Sequence, residues 1–375
     1  MYCDAICLRE VTLPLLRPFE SSASRTVRRR FVLVEAMAGG LSGWGECVAQ
    51  EAPYYTEETV ETAWHILRDF LAPAVLNAAE VDPRSLPARF RLVKGHPMAK
   101  TALETALWDL TARAEGESLA GRWGAGRPTV PSGVSVGMAP GLDALFREID
   151  GYLEQGYRRV KVKVGPGRDV AVVRALRERY GAIPLMVDAN GAYGSEDLPV
   201  LLEMDGYDLM MIEEPLRGGD LLAYPSLQER LKTPICLDES LRGAADVRRA
   251  AELGACRVVN LKPGRVGGPS EALEVEGVCR ERGLDLWVGG MLESGVGRAL
   301  NLILAALPGV TLPGDTSASD RYYARDLVTE PARLQPDGTV PVPQGPGLGI
   351  EVDREYLDRV SGRVEWIRPT GRREP

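Results

Sequence analysis

The chain has 375 residues, of which 45% are hydrophobic and 26% charged, with a formal net charge of −8. That acidic balance excludes nucleic acid and anionic membrane surfaces as partners. No apolar run reaches the roughly 20 residues of a membrane span, and MYCDAICLRE lacks the basic start and apolar core of a secretory leader, so a cytoplasmic protein is expected.

From the N-terminus, AICLREVTLPL and RRRFVLVEAMAG read as strands, and Gly43-Trp44-Gly45-Glu46 ends the second run. The intervening PFESSASRT, rich in small polar residues, reads as an exposed, mobile loop or as a plain hairpin connection. Helical patterning takes over from Thr56. In MAKTALETALWDLTARAEG it sets Leu103, Ala106, Leu107, Leu110 and Ala114 on one apolar face. Residues 1–125 therefore read as an α+β domain. A linker, GAGRPTVPSG, leads into a second domain over 126–319, whose first strand is VPSGVSVGM, with Ser135 near its end, and whose last is GVTLPGD. The turn-rich tail, from about 320 to 375, is expected to fold back and complete the first domain.

Within the second domain, similar segments recur: VKVKV, PLMVDAN, LMMIEEP, PICLDES, VVNLKPG and WVGGMLES. Lys163, Asp188, Glu213 and Asp238 follow one another at intervals of 25 residues, and Lys262 comes 24 later. One strand, one helix and two short loops have that length, and AVVRALRER and AADVRRAAELG supply the helical pattern between. The period predicts a parallel α/β barrel, in which strand-end residues converge on one face.

Taken singly, each acid could be a helix N-cap. Three carboxylates converging in one cavity would instead raise each other's proton affinity unless a cation neutralised them. Oxygen-only ligands point to Mg²⁺, with Mn²⁺ a possible substitute, held by Asp188, Glu213 and Asp238. Lys161 and Lys163 share a strand face, inward toward these carboxylates or outward toward the helices. With Lys163 on the second strand and Lys262 on the sixth, the two oppose each other across the cavity. Abstraction of an α-proton from a small carboxylate substrate follows, provided burial and a nearby cation depress the pKa of the lysine that acts as base.

The six cysteines, Cys3, Cys7, Cys47, Cys236, Cys256 and Cys279, lack paired metal spacing and read as isolated buried thiols. With two histidines only, His65 and His96, acid–base chemistry falls to Lys, Asp, Glu or Tyr.

KVK, VDAN, IEEP, CLDES, NLKPGRVGG and GGMLESGVGRALN resemble the muconate-lactonising branch of the enolase superfamily. PGDTSASDRYY, PVPQGPGLG, GWGEC and KGHPMAKTALE extend the resemblance to its o-succinylbenzoate synthase / N-acylamino acid racemase family over essentially the whole chain. The resemblance implies a modified TIM barrel of the (β/α)7β type with an α+β capping domain. It implies that Asp188, Glu213 and Asp238 are metal ligands, Lys163 the base, Lys262 the opposing lysine, and Lys161, Asn190 and Glu239 supporting residues. Ser135 and the Gly290-Met291 backbone fall near the substrate's acyl end, with Phe19, Tyr55 and Tyr322 lining the pocket.

The implied reactions are dehydration of a succinyl-hydroxycyclohexadiene carboxylate through an enediolate held by Mg²⁺, and two-lysine racemisation of N-succinyl or other N-acyl amino acids. A homo-oligomer, dimer or octamer, is implied as well. Glu20 departs from the basic or neutral residue expected in the acyl-closing loop; it either faces solvent or alters acyl preference, and Gln50 is a second departure. The alternatives are a muconate-type cycloisomerase, a dipeptide epimerase, weakened by the lone Asp315 where such enzymes carry two acids, and a non-catalytic homologue, opposed by the intact ligand and lysine set.

Overall fold

The computed structural model describes residues 2–20, 25–78 and 80–369. Strands β1 (Ala5–Glu20), β2 (Arg25–Ala38) and β3 (Leu41–Cys47) form an antiparallel sheet. The GWGE run is thus part of a strand of its own, set off from β2 by a turn at Gly39 and Gly40, both with positive φ. Phe19 pairs with Thr26 and Glu20 with Arg25, so the first two strands make a hairpin; residues 21–24 of the expected loop lie outside the described residues. Strand alternation sorts the side chains: Ile6, Leu8, Val32 and Val34 join one core, Val11, Leu13, Phe31 and Leu33 another that is continuous with the barrel.

The helix Pro97–Glu115 lies directly on β3. A Cβ at Gly43 would meet the Ala106 carbonyl oxygen at 2.2 Å and one at Gly45 the Ala102 oxygen at 1.9 Å, so only glycine lets the helix backbone come this close. The helix does not present a single apolar face. Its residues from Met98 to Ala112 are buried nearly all round, Glu104 and Asp109 included, whereas Ala114 is exposed. A helix enclosed between a sheet and a barrel has no solvent side to keep polar.

A short strand, β4 (Thr129–Pro131), interrupts the expected linker. Seven parallel strands follow in spatial order: β5 (Gly133–Val136), β6 (Arg159–Lys163), β7 (Leu185–Asp188), β8 (Ile212–Glu213), β9 (Ile235–Leu237), β10 (Val258–Leu261) and β11 (Asp285–Val288). The expected eighth strand, GVTLPGD, forms no regular ladder. Thr311 and Leu312 donate to the Leu286 carbonyl, Asp315 donates to that of Val288, and the Gly314 carbonyl accepts from Gly133, so the segment still joins β11 to β5. Pro313 has no N–H to contribute to a ladder.

Parity along the strands divides barrel interior from exterior. Met186, Met211, Cys236, Val258 and Trp287 pack together inside, and their neighbours Val187, Ile212, Leu237, Val259 and Leu286 belong to the outer core. The tail returns twice: β12 (Thr339–Pro341) pairs with β4, and β13 (Ser361–Ile367) pairs antiparallel with the outer edge of β1. All six cysteines are free and buried. Among the described residues no helix is long and apolar enough to cross a membrane.

Candidate active site

Register builds the site. Lys163 pairs with Asp188 and Asp188 with Glu213, each the last residue of its strand, so the 25-residue period becomes a row of neighbouring side chains. Asp238 follows β9 and Lys262 follows β10 by one residue, completing the arc.

Lys163 Nζ donates to Asp188 Oδ2 at 2.6 Å and to Asn190 Oδ1 at 2.6 Å. Lys161 points inward and is 3% exposed, with Glu213 at 3.0 Å, Asp315 at 2.8 Å and Asp188 at 3.4 Å. Lys262 donates to Asp238 Oδ2 at 2.6 Å and to Tyr55 Oη at 3.0 Å; the Tyr55 hydroxyl in turn donates to Asp238 Oδ1 at 3.1 Å. Lys262 also lies 4.7 Å from the centroid of the Tyr55 ring. Asn190 Nδ2 donates to Glu239 Oε1 at 2.9 Å, and Glu239 Oε2 is buried without a partner.

The carboxylates do not shift alike. Burial, reinforced by Asp188, pushes Glu213 up to about 7, and burial together with Asp238 pushes Glu239 to about 8. Burial alone would also raise Asp188, but Lys163 and Lys161 outweigh it and hold it at about 2. Asp238 is likewise lowered, because Lys262 and Arg265 overcome its desolvation. Two of the lysines here, Lys161 and Lys262, are shifted upward. Burial disfavours the charge on Lys262 and Lys161, yet Asp238 for the one and Asp315 with Glu213 for the other raise both above the ordinary lysine value.

Among the described residues no three acidic, histidine or cysteine side chains form a preformed coordination shell. The donor set nevertheless fits a hard divalent cation in kind: oxygen carboxylates on adjacent strand ends, with Glu239 Oε2 unpartnered beside them.

A cavity of 290 Å³ opens at these strand ends, with Glu213 and Asp238, both 0% exposed, outside its lining. Phe19, Tyr55, Ser135, Gly290, Met291 and Tyr322 all line it, as do Lys161, Lys163, Asp188, Asn190, Glu239 and Lys262. Gln50 lines it too, whereas the Glu20 side chain lies outside the described residues.

Sequence reasoning passed over several contributors. Thr26, Tyr54, Leu292 and Asp315 complete the cavity wall. Asn260 donates to Glu213 Oε1 at 2.7 Å. Glu214, one residue past β8 at φ 36°, accepts from the Asp238 N–H at 2.8 Å and thereby holds that loop. Arg265 pairs with Asp238 and donates to the Leu241 carbonyl at 2.7 Å. Only its place three residues after Lys262, in NLKPGRVGG, could have flagged it. A Cβ on Gly289 would meet Asn260 Oδ1 at 2.3 Å and Lys262 Cε at 2.8 Å, so this glycine makes room for the lysine.

The fold and site define an enolase-superfamily protein. Residues 144–356 match the enolase C-terminal domain-like family, and residues 5–124 match the mandelate racemase / muconate lactonizing enzyme N-terminal domain. The chain is 45% identical to the o-succinylbenzoate synthase of Bacillus subtilis (strain 168), covering 96% of this chain and 97% of that one. It is 46% identical to an N-succinylamino acid racemase of Amycolatopsis sp, covering 98% and 100%. A solved enolase-superfamily member from Listeria innocua Clip11262 superposes with a TM-score of 0.94 at 40% identity, covering 98% and 99%. The chain belongs to the o-succinylbenzoate synthase / N-acylamino acid racemase family of that superfamily.

Proposed function

We propose that this chain is a Mg²⁺-dependent o-succinylbenzoate synthase that also racemises N-succinyl and other N-acyl amino acids. The observation that carries the reading is the pair of lysines, Lys163 and Lys262, which come from the second and the sixth barrel strands and line one cavity. Relatives bearing both names match nearly end to end.

In this reading Asp188, Glu213 and Asp238 would hold a divalent cation, which would supply charge stabilisation to the substrate's carboxylate. Lys163, once neutral, takes that proton at Nζ, and Asn190 orients it. Lys262, kept an ammonium by Asp238 and oriented by Tyr55, stabilises the developing charge from the opposite side. In the synthase reaction the hydroxyl of the succinyl-hydroxycyclohexadiene carboxylate then leaves as water, taking the proton that Lys163 Nζ has just accepted, so that o-succinylbenzoate and neutral Lys163 remain. In racemisation Lys262 returns a proton to the face opposite the one Lys163 deprotonated.

A dedicated N-acylamino acid racemase is the second reading, favoured by the racemase relatives from Amycolatopsis sp and Thermus thermophilus. Ultraviolet absorbance of the succinyl-hydroxycyclohexadiene carboxylate, followed with purified protein and Mg²⁺, separates the two. Rapid loss of the diene that chelator abolishes supports the synthase. A stable diene, with α-proton exchange of N-succinyl amino acids in deuterated buffer, supports the dedicated racemase.

A further inference from the structure

We infer that Arg321 is a positioning residue that biases the cavity toward an anionic acyl end, acting through the Tyr322 hydroxyl and the end of strand β5; this rests on the acyl-substrate reading above. Arg321 ends the single turn Ser319–Arg321, just beyond the segment that joins β11 to β5. Its Nη1 donates to Tyr322 Oη at 2.5 Å and to Ser317 Oγ at 3.3 Å, its Nε to Tyr152 Oη at 3.3 Å, and its Nη2 to the Ser135 carbonyl. Every one of these acceptors is a hydroxyl or a carbonyl, and none is a carboxylate. The guanidinium also lies 4.8 Å from the Tyr322 ring centroid and 5.0 Å from that of Tyr152.

A second guanidinium reinforces the field. Arg298 is 1% exposed, sits 5.2 Å from the same Tyr322 ring, and donates to the carbonyls of Ser317 and Glu293. The carboxylate of Asp315, which also lines the cavity, is already engaged by Lys161 at 2.8 Å and Arg159 at 2.9 Å.

Tyr322 transmits this charge. Its hydroxyl accepts from Arg321, and no described residue takes its own proton, so it is left a donor on a cavity-lining side chain. Its carbonyl accepts from the Leu16 N–H at 2.8 Å, tying it to the strand that carries Phe19. An acyl chain ending in a neutral group gains one hydroxyl hydrogen bond there. A chain ending in a carboxylate gains a charge-assisted bond and the attraction of guanidinium groups with no carboxylate hydrogen-bond partner.

The test compares α-proton exchange of an N-succinyl amino acid with that of its succinamyl isostere, in which a carboxamide replaces the terminal carboxylate. In Arg321→Met the kcat/KM ratio of anionic to neutral substrate should fall by roughly 10-fold, mostly through KM, while Arg321→Lys keeps most of the preference. Tyr322→Phe should lower the ratio by a smaller factor, and it carries the test should Arg321→Met fail to fold. An equal loss for both substrates, or an unchanged ratio in Tyr322→Phe and Arg321→Met, overturns the inference and leaves the proposed function standing. Absence of exchange with either substrate in the unmodified protein overturns the racemase part of that function, and this inference with it.

Discussion

At the barrel mouth, Asp188 and Asp238 face ammonium and guanidinium groups; along the seam between the antiparallel sheet and the barrel, Glu46, Glu58 and Glu104 face backbone N–H groups near helix starts. Glu46 accepts from Ser294 Oγ at 2.6 Å and the Gly297 N–H at 3.0 Å; Glu58 accepts from the Met98 and Ala99 N–H groups at 2.8 and 2.9 Å; Glu104 accepts from that of Ser270 at 2.8 Å. Both sets are buried, yet their proton affinities diverge. Burial pushes Glu46, Glu58 and Glu104 each up to about 7, because backbone dipoles offset only part of the desolvation. Two lysines hold Asp188 at about 2. The seam acids clip layers together through fixed backbone donors. Asp188 and Asp238 are balanced instead by the charged side chains of Lys161, Lys163, Lys262 and Arg265.

The contrast is broken most severely by deleting a mouth lysine. Lys163→Ala should lower kcat for either proposed reaction by roughly 10³-fold with the fold intact, and Lys262→Ala should abolish racemisation. Full racemisation in either variant, measured by α-proton exchange, would remove the two-lysine mechanism.

Glycine substitutions separate the two regions next. Gly45→Ala places a methyl 1.9 Å from a helix carbonyl and should cost about 3 kcal/mol or more in denaturant unfolding. Gly289→Ala, whose methyl would meet the Lys262 side chain, should depress activity far more than stability. The reverse ranking would mean that Gly289 serves packing alone.

Glu46→Ala should destabilise by about 2 kcal/mol, since it leaves the Ser294 and Gly297 N–H groups buried without an acceptor. Kinetic constants near those of the unmodified protein are expected alongside that loss.

The smallest effect is a pH slope. An acid whose folded pKa lies above its unfolded value keeps its proton longer in the native state, so stability falls as pH rises between 4.5 and about 7 for Glu46, at up to about 1.4 kcal/mol per pH unit. Asp188 acts in the opposite sense: its contribution is present above 3.8 and is lost as pH falls through about 2, outside that window. Chemical denaturation across pH 5 to 7 should show a shallower slope in Glu46→Gln. An unaltered slope would show that Glu46 holds no proton there.

Chain order alone determined a good deal of this protein. Strand period and side-chain parity are local properties, so the 25-residue interval already set Lys163, Asp188 and Glu213 side by side, and the KVK spacing already put Lys161 and Lys163 on one face. Tertiary structure decided which charge answers which. Tyr55 reaches Lys262 across 207 residues and Glu46 reaches Ser294 across 248, so neither pairing has a local signature. The same holds for the bonds of Arg265 to Asp238, Arg321 to Ser135 and Asn260 to Glu213, whose acceptors come from other strands or loops. It holds as well for the protonation of Lys161 and Lys262, which follows from the balance of desolvation against the carboxylates that close around them, a balance no single segment contains.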